Sequence, residues 1–370
     1  MIERSAPSRA ALAGYFLRLG AAGFGGPIAL VGHMHRDLVE ERGWISEDEY
    51  REGLALAQLS PGPLAAQLCF YIGYIRGGIV GATLSGLGFV LPSFLIVLAL
   101  GWAYVRYGGL PWMQAVFYGV GAAVIGLITR SAYGLARKTI GKDLLLWGVF
   151  IVLAVATAVT GREVVWLILA AGALVWLVRA PPAALRRRGT LAEAGTALLL
   201  LQILGFFAYA GSFVFGSGLA IVPFLHGGVV LEHQWLTERE FLDAVAVALI
   251  TPGPVVITTG FIGYLVAGLV GAFVAAGATF LPAFLFTIVP APYFHRFGKR
   301  PWLVAIVAGV TAAATGAIAG AVFVLARHSL VDFTTVLIAI AAFGVTWLGR
   351  KIPEPLIVLA AALAGLAIRG

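Results

Sequence analysis

The sequence predicts an all-α integral membrane protein, a polytopic helical bundle built from two homologous halves arranged as inverted repeats with discontinuous, re-entrant helices. Three observations predict it. Apolar residues make up 61% of the 370 residues and charged residues 11%, with a mean hydropathy of +0.97. A soluble domain carries about 25% charge, so this chain cannot clothe a water-facing surface, and disorder is excluded for the same reason. The apolar residues form continuous runs near the ~20 residues a helix needs to cross about 30 Å of hydrocarbon, not the short alternating segments of a barrel. Finally, the chain repeats itself.

The plain spans are Trp112–Leu135, Leu144–Val159, Val164–Val178, Trp302–Leu325, Thr334–Leu348 and Leu356–Ile368. Small-residue faces such as Gly77/Gly81 and Gly316/Gly320 suit close helix packing in lipid. Lys and Arg total 25 against 17 Asp and Glu, a net +8. They fall in short loops between apolar runs, the positive-inside pattern, so the excess charge implies a bilayer partner and no nucleic acid. The single cysteine, Cys69, excludes a disulfide framework or a thiolate metal site. No cleavable signal peptide is evident.

The repeat is read by setting Phe24-Gly25-Gly26 on Phe215-Gly216-Ser217, an offset of 191 residues. Trp44 then meets Trp235, Glu52 meets Asp243, and Ser60-Pro61-Gly62-Pro63 meets Thr251-Pro252-Gly253-Pro254. The offset drops to 190 afterwards. Ile72-Gly73-Tyr74 meets Ile262-Gly263-Tyr264, Leu91-Pro92 meets Leu281-Pro282, and Leu135-Ala136-Arg137 meets Leu325-Ala326-Arg327. The division is residues 1–178, a basic linker 179–192 with Pro181-Pro182, and residues 193–370. Basic clusters alternate between non-equivalent loops of the two halves, so the halves should face opposite ways, with an odd number of crossings each. Paired Gly/Pro-interrupted segments in duplicated halves point to a secondary transporter. Further interruptions are expected at Pro92 and Pro282.

Ser46 with Glu49, and Thr237 with Glu240, are capping boxes that start helices. Capping does not explain Glu52 and Asp243, which lie deeper in those helices; they are the candidates for carrying a coupling proton. Each Ser/Thr-Pro-Gly-Pro element ends one helix and begins another. A helix N-terminus aimed into the bundle attracts an anion. The expected anion contacts are Ser60, Gly62, Thr251 and Gly253, with Gln67, Thr258 and Thr259 one turn on. Gly25, Gly26, Gly216 and Ser217 form a second break per half, and Arg130, flanked by Thr129 and Ser131 inside an apolar run, offers a cation. The six histidines form no tight cluster in sequence, so no metal and no cofactor are expected. Ser60 and Ser93 lack an evident histidine partner, which argues against an intramembrane enzyme. A channel would need a selectivity ring or filter.

The Phe24-Gly25-Gly26-Pro27 segment, the Trp44 acidic stretch, Pro61-Gly62-Pro63 with Gly73-Tyr74, and Phe89-Val90-Leu91-Pro92-Ser93-Phe94 resemble the chromate transporter family, and the second-half copies strengthen the resemblance. It covers the chain from about Tyr15 to Ile368. One departure is Ala283 where the first copy has Ser93. The resemblance implies a carrier in the inner membrane that exports chromate at the expense of the proton-motive force, with sulfate as a related ligand. Both are tetrahedral dianions, so a sulfate or other oxyanion carrier, or a channel, stays open at this point, as does self-association.

Overall fold

The computed structural model describes residues 7–23, 26–107, 110–160, 165–179, 197–214, 221–294, 301–348, 352 and 354–369. These residues are helical, with no strand among them. The basic linker lies almost wholly outside them. In the first half the helices are α1 (Arg9–Ala22), α2 (Gly26–His35), which runs on into a π-helical turn at Arg36–Glu41, α3 (Glu47–Leu59), α4 (Leu64–Tyr107), α5 (Pro111–Ile140), α6 (Leu144–Thr160) and α7 (Val165–Arg179). The second half repeats them as α8 (Ala197–Ser212), α9 (Ile221–Leu225) with its π-helical turn at His226–Glu232, α10 (Glu238–Ile250), α11 (Thr258–Ile288), α12 (Pro301–Ser329), α13 (Phe333–Trp347) and α14 (Glu354–Arg369). The last three of each half match the plain spans expected from sequence to within a few residues.

α3 and α10 start where their capping boxes place them. Ser46 and Thr237 accept from the third backbone N–H, and Glu49 and Glu240 return to the cap N–H. Glu47 and Glu238 occupy the first helical positions and pair with His35 and His226 at 2.8 and 2.7 Å. This ties each π-helical turn to the helix that follows it. The two halves differ at Glu49, which also takes a two-point bond from Arg76 at 2.8 and 2.5 Å. That guanidinium, with the Ser46 cap, lowers the Glu49 carboxyl to about 2. Val266 stands at the equivalent of Arg76, so Glu240 has no such clamp.

α4 and α11 are not straight rods. Each folds into a hairpin at a glycine with positive φ, Gly78 (φ 63°) and Gly268 (φ 62°). This backbone region is open to glycine at little cost. The first leg of α4, 64–77, is about 21 Å long and the second, 79–107, about 43 Å. They lie antiparallel in close contact: a side chain at Gly73 would strike Gly81 and Ser85, and one at Gly86 would strike Phe70. Gly263 and Gly271 repeat the contact. The interruption expected at Pro92 and Pro282 is absent; both helices run through their prolines. A proline removes one intrahelical bond and can be carried within a long packed helix, whereas reversing the chain needs the glycine conformation.

The hairpins also fix the orientation of the halves. Along the long leg of α4, Phe94 packs on Gly260, and Gly101 on Phe261 and Tyr264. Numbers rise together, so this leg runs parallel to the short leg of α11, and therefore antiparallel to the long leg of α11, its own counterpart. The repeats are inverted.

The remaining helices interlock the halves. α5 of the first half packs chiefly against α13 and α14 of the second, and α12 of the second against α6 and α7 of the first. Small residues bring the backbones together: Gly119 lies against Ala361 and Gly365, Gly316 against Phe150, Gly320 against Ala154. In lipid such van der Waals contact is the main source of helix association. Each half ends on an ion pair, Arg179 with Asp143 and Arg369 with Asp332. Ile79, Trp102, Val155, Leu204, Phe273 and Leu363 are all at least half exposed, the outward apolar belt of a lipid-facing bundle. Four described segments are long and apolar enough to cross a membrane: Leu64–Tyr107, Pro111–Arg137, Val255–Tyr293 and Val304–Arg327.

Because folding lowers the Glu49 carboxyl from 4.5 to about 2, its contribution is full above about pH 4.5 and lost as the pH falls towards 2. Glu49→Gln should lower stability by about 1–2 kcal/mol near neutral pH. Thermal unfolding in detergent should show the gap from the parent chain narrowing below about pH 4.5.

Candidate functional site

Each Pro-Gly-Pro junction lies against the end of the first helix of the opposite half. The Gly62 N–H donates to the Val214 carbonyl at 2.5 Å, and the Gly253 N–H to the Gly23 carbonyl at 2.9 Å. Gly23 and Val214 are themselves repeat equivalents, so the two bonds are related by the same inversion as the halves. Both glycines have positive φ, 144° and 94°. A side chain at Gly62 would strike Gln67 and Ala283, and one at Gly253 would strike Ser93 and the Gly20 carbonyl. Ser93 donates to that carbonyl at 3.4 Å. Ser93 and Ala283 are counterparts, so one side of the junction is polar and the other apolar.

The hydroxyls expected to face an anion mostly serve the helices around them in this conformation. Ser60 donates to the Phe286 carbonyl, Thr251 to Val247, Thr258 to Val255 and Thr259 to Val256. Thr258, Thr259 and Gln67 are fully buried beside the junctions. The first turn of α4, Leu64 to Ala66, is also buried, and helix geometry leaves its N–H groups without an intrahelical acceptor. Gln67 turns back to donate from Nε2 to the Pro61 carbonyl at 2.8 Å, leaving its Oε1 buried without a partner. Gly26 begins α2 just after the first break; Gly25, Gly216 and Ser217 lie outside the described residues. Arg130 is not joined to the junctions by any described contact. It lies under the Trp347 ring of α13, 5.6 Å from the centroid, with its Nε buried and unpartnered.

Glu52 and Asp243 sit differently despite their equivalence. Glu52 is half-buried and hydrogen-bonds Tyr71. Asp243 is buried, 4% exposed. It accepts from the Tyr104 hydroxyl at 2.7 Å, a bond from the first half to the second. Asp243 lines a cavity of about 430 Å³ among the N-terminal ends of α5 and α10 and the C-terminal end of α14. Gln114, Tyr118, Arg239, Ser329 and Arg369 give it polar walls, and Ser329 Oγ is buried there without a partner. Sequence reasoning singled out Asp243 but missed Tyr104 and the cavity. No signal marks Tyr104, because Phe294 stands at its counterpart and the pair is 139 positions apart.

Comparison with known proteins follows this geometry. A family model described as chromate transporter matches residues 10–176 and again 201–366, one match per half. A chromate transport protein of Cupriavidus metallidurans is 63% identical over 365 residues, covering 95% of this chain and 91% of that protein. Another, from Pseudomonas aeruginosa, is 34% identical over 379 residues, covering 95% of this chain and 90% of that protein. No solved structure matches the chain.

Gly62→Leu and Gly253→Leu each force a side chain into the junction and strain a left-handed backbone. Each should cost about 1–3 kcal/mol of stability and abolish any thermal stabilisation of the purified protein by an oxyanion. Parent-like stabilisation by chromate in either variant would separate the junctions from binding.

Proposed function

The chain belongs to the chromate transporter family, and on that premise we propose that it is a secondary carrier exporting chromate across the inner membrane, coupled to the proton-motive force and working by alternating access. The multi-pass bundle and the family stand on the fold and the two-part match; the direction, the coupling and the cycle are our reading. The observation that carries it is the crossed pair of glycine bonds. Two inverted halves, each of whose breaks is bonded by the other, can open towards opposite faces in turn, the arrangement alternating access needs.

In this reading the oxyanion is held at the Pro-Gly-Pro junctions. The contacts are Gly62, Gly253, Ser60, Thr251, Gln67, Thr258 and Thr259, with Gly25, Gly26, Gly216 and Ser217 supplied by the breaks that the junctions abut. A buried oxyanion needs opposing charge or many donors, and the buried first turn of α4 supplies backbone donors. Arg130, with an unmet buried donor, is the cation the anion meets farther along α5. Substrate binding breaks or relaxes the two crossed bonds, and their amides turn to the ligand. No cofactor or metal enters the cycle. Sulfate is the natural competitor.

Asp243 is the stronger of the two candidates for the coupling proton, ahead of Glu52. A carboxyl at the floor of a polar cavity exchanges protons with the aqueous phase through it, and the Tyr104 bond registers its charge state on the opposite half. An ionised acceptor strengthens that bond, and a protonated one weakens it. Proton binding therefore loosens one of the contacts that hold the halves in register.

The test is chromate flux in reconstituted vesicles with an imposed pH gradient that is then collapsed. Asp243→Asn should lose about tenfold of its gradient stimulation, the scale of a ~1.4 kcal/mol coupling. Full gradient dependence in both Asp243→Asn and Glu52→Gln would remove the coupling role from these carboxyls. Flux that never exceeds the electrochemical gradient of chromate would point to a channel.

A further inference from the structure

We propose that Gln67 makes this site select a singly protonated oxyanion, hydrogen chromate, over fully ionised dianions such as sulfate; the inference rests on the reading of the junction as the oxyanion site. From sequence, Gln67 is one more hydrogen donor beside the first Pro-Gly-Pro element. The structure gives it the opposite role. Its Nε2 is committed to the Pro61 carbonyl at 2.8 Å, which orients the amide, since a carbonyl partner accepts only from the nitrogen side. What remains free is Oε1, fully buried and with no hydrogen-bond partner. It is one of only four such atoms among the described residues. A Cβ built on Gly62 would meet the Gln67 amide, so the group lies directly against the junction glycine.

An orphaned buried acceptor costs about 1–3 kcal/mol. A dianion cannot relieve it, because every oxygen of a dianion is itself an acceptor and would meet a carbonyl oxygen lone pair to lone pair. An oxyanion with one O–H can donate to Gln67 Oε1 while its remaining oxygens take the buried backbone donors of the α4 first turn. Such a mismatch gives far stronger discrimination than size or shape, because the wrong ligand leaves polar groups unpaired. Chromate and sulfate are near-identical in shape, yet their acids differ. Hydrogen chromate gives up its proton close to neutral pH, whereas hydrogen sulfate does so only in strong acid. At physiological pH, chromate alone of the two offers the donor this acceptor lacks.

The feature exists in one half only. Ile257 stands at the repeat equivalent of Gln67, buried and without an acceptor. The titratable groups on the surrounding elements include Cys69 and Tyr71 on α4, Glu52 on α3, which bonds Tyr71, and Asp243 on α10, which bonds Tyr104; Glu47, Asp48, Glu49 and Arg51 of α3, Arg76 and Arg106 of α4, and Glu238, Arg239 and Glu240 of α10 are the other charged groups there. None of them hydrogen-bonds Gln67. Deprotonation of such groups as the pH rises repels the sulfate dianion more than the hydrogen chromate monoanion and would raise the chromate-to-sulfate ratio, so a fall in that ratio reports the ligand's own proton.

The experiment measures binding of labelled chromate to the purified full-length protein, with sulfate as competitor, between about pH 6 and about pH 8.5. The ratio of chromate to sulfate affinity should fall by about tenfold per pH unit in the upper part of that range, as mass action on hydrogen chromate requires. Gln67→Met, of similar volume but without the acceptor, should flatten that slope and bring sulfate closer to chromate. Gln67→Asn, which keeps an amide, should retain part of it. A flat ratio in the parent protein, with chromate still bound, overturns the inference and leaves the transport reading intact. A Gln67→Met protein that keeps the full slope removes Gln67 as its origin. Absence of any oxyanion binding across the range overturns the reading of the junction itself.

Discussion

The structure depends on satisfying backbone polar groups inside a bilayer. In hydrocarbon an unpaired N–H or C=O costs several kcal/mol, so irregular backbone survives there only where protein covers it. This chain breaks its helices at the first glycine element and at the Pro-Gly-Pro element of each half. The breaks are tolerable because each half supplies the partner the other lacks. Gly62 donates to Val214 and Gly253 donates to Gly23. Neither bond can form within one half. The duplication, the inversion and the broken helices are therefore one feature, since the breaks require the second copy in the opposite orientation.

The same logic explains why the three plain helices of each half are exchanged. If α5 packed only on α6 and α7, the halves would meet through the hairpins and junctions alone. With α5 seated on α13 and α14, and α12 on α6 and α7, the outer helices also lock the halves together. The seats are built from glycines and alanines, Gly119 on Ala361 and Gly320 on Ala154 among them. Such flat contacts permit sliding at little cost compared with interdigitated large side chains. The hairpins at Gly78 and Gly268 carry the junctions and touch each other directly, as with Phe70 on Phe284.

Much of this was legible in the sequence. Runs such as Leu144–Val159 identify spans because lipid tolerates little else, and Ser46 with Glu49 announces a helix start through local chemistry alone. The duplication could be read from Trp44 on Trp235 and Pro61-Gly62-Pro63 on Pro252-Gly253-Pro254, and it located the breaks. The hairpin turn was not legible. Proline is the loudest breaker in a sequence and points to Pro92 and Pro282, whereas the reversals belong to Gly78 and Gly268, two glycines among the chain's 48. Cross-half contacts were hidden for a different reason. Tyr104 with Asp243, and Gly62 with Val214, join positions far apart in sequence, and nothing in the local pattern of either partner marks the other. The orientation of Gln67 was hidden on the same ground, since it is set by a carbonyl at the break rather than by residue type.

An inverted repeat with identical halves would have inward-open and outward-open states of equal energy, and no preferred resting state. This chain departs from symmetry at a few central positions. Tyr104 faces Asp243, but Phe294 stands at its counterpart and cannot bond Glu52 in the same way. Arg76 clamps Glu49, while Val266 at its counterpart gives Glu240 no matching guanidinium. Ser93 and Gln67 are opposed by Ala283 and Ile257. A hydrogen bond to a charged group contributes about 1.5–3 kcal/mol, and a difference of that size shifts a two-state population by about ten- to a hundredfold. The unmatched polar contacts are therefore large enough to set which face is open at rest. The Tyr104–Asp243 bond among them is one that a proton on Asp243 would alter. Directionality in such a fold comes from the few residues in which the second copy declines to repeat the first.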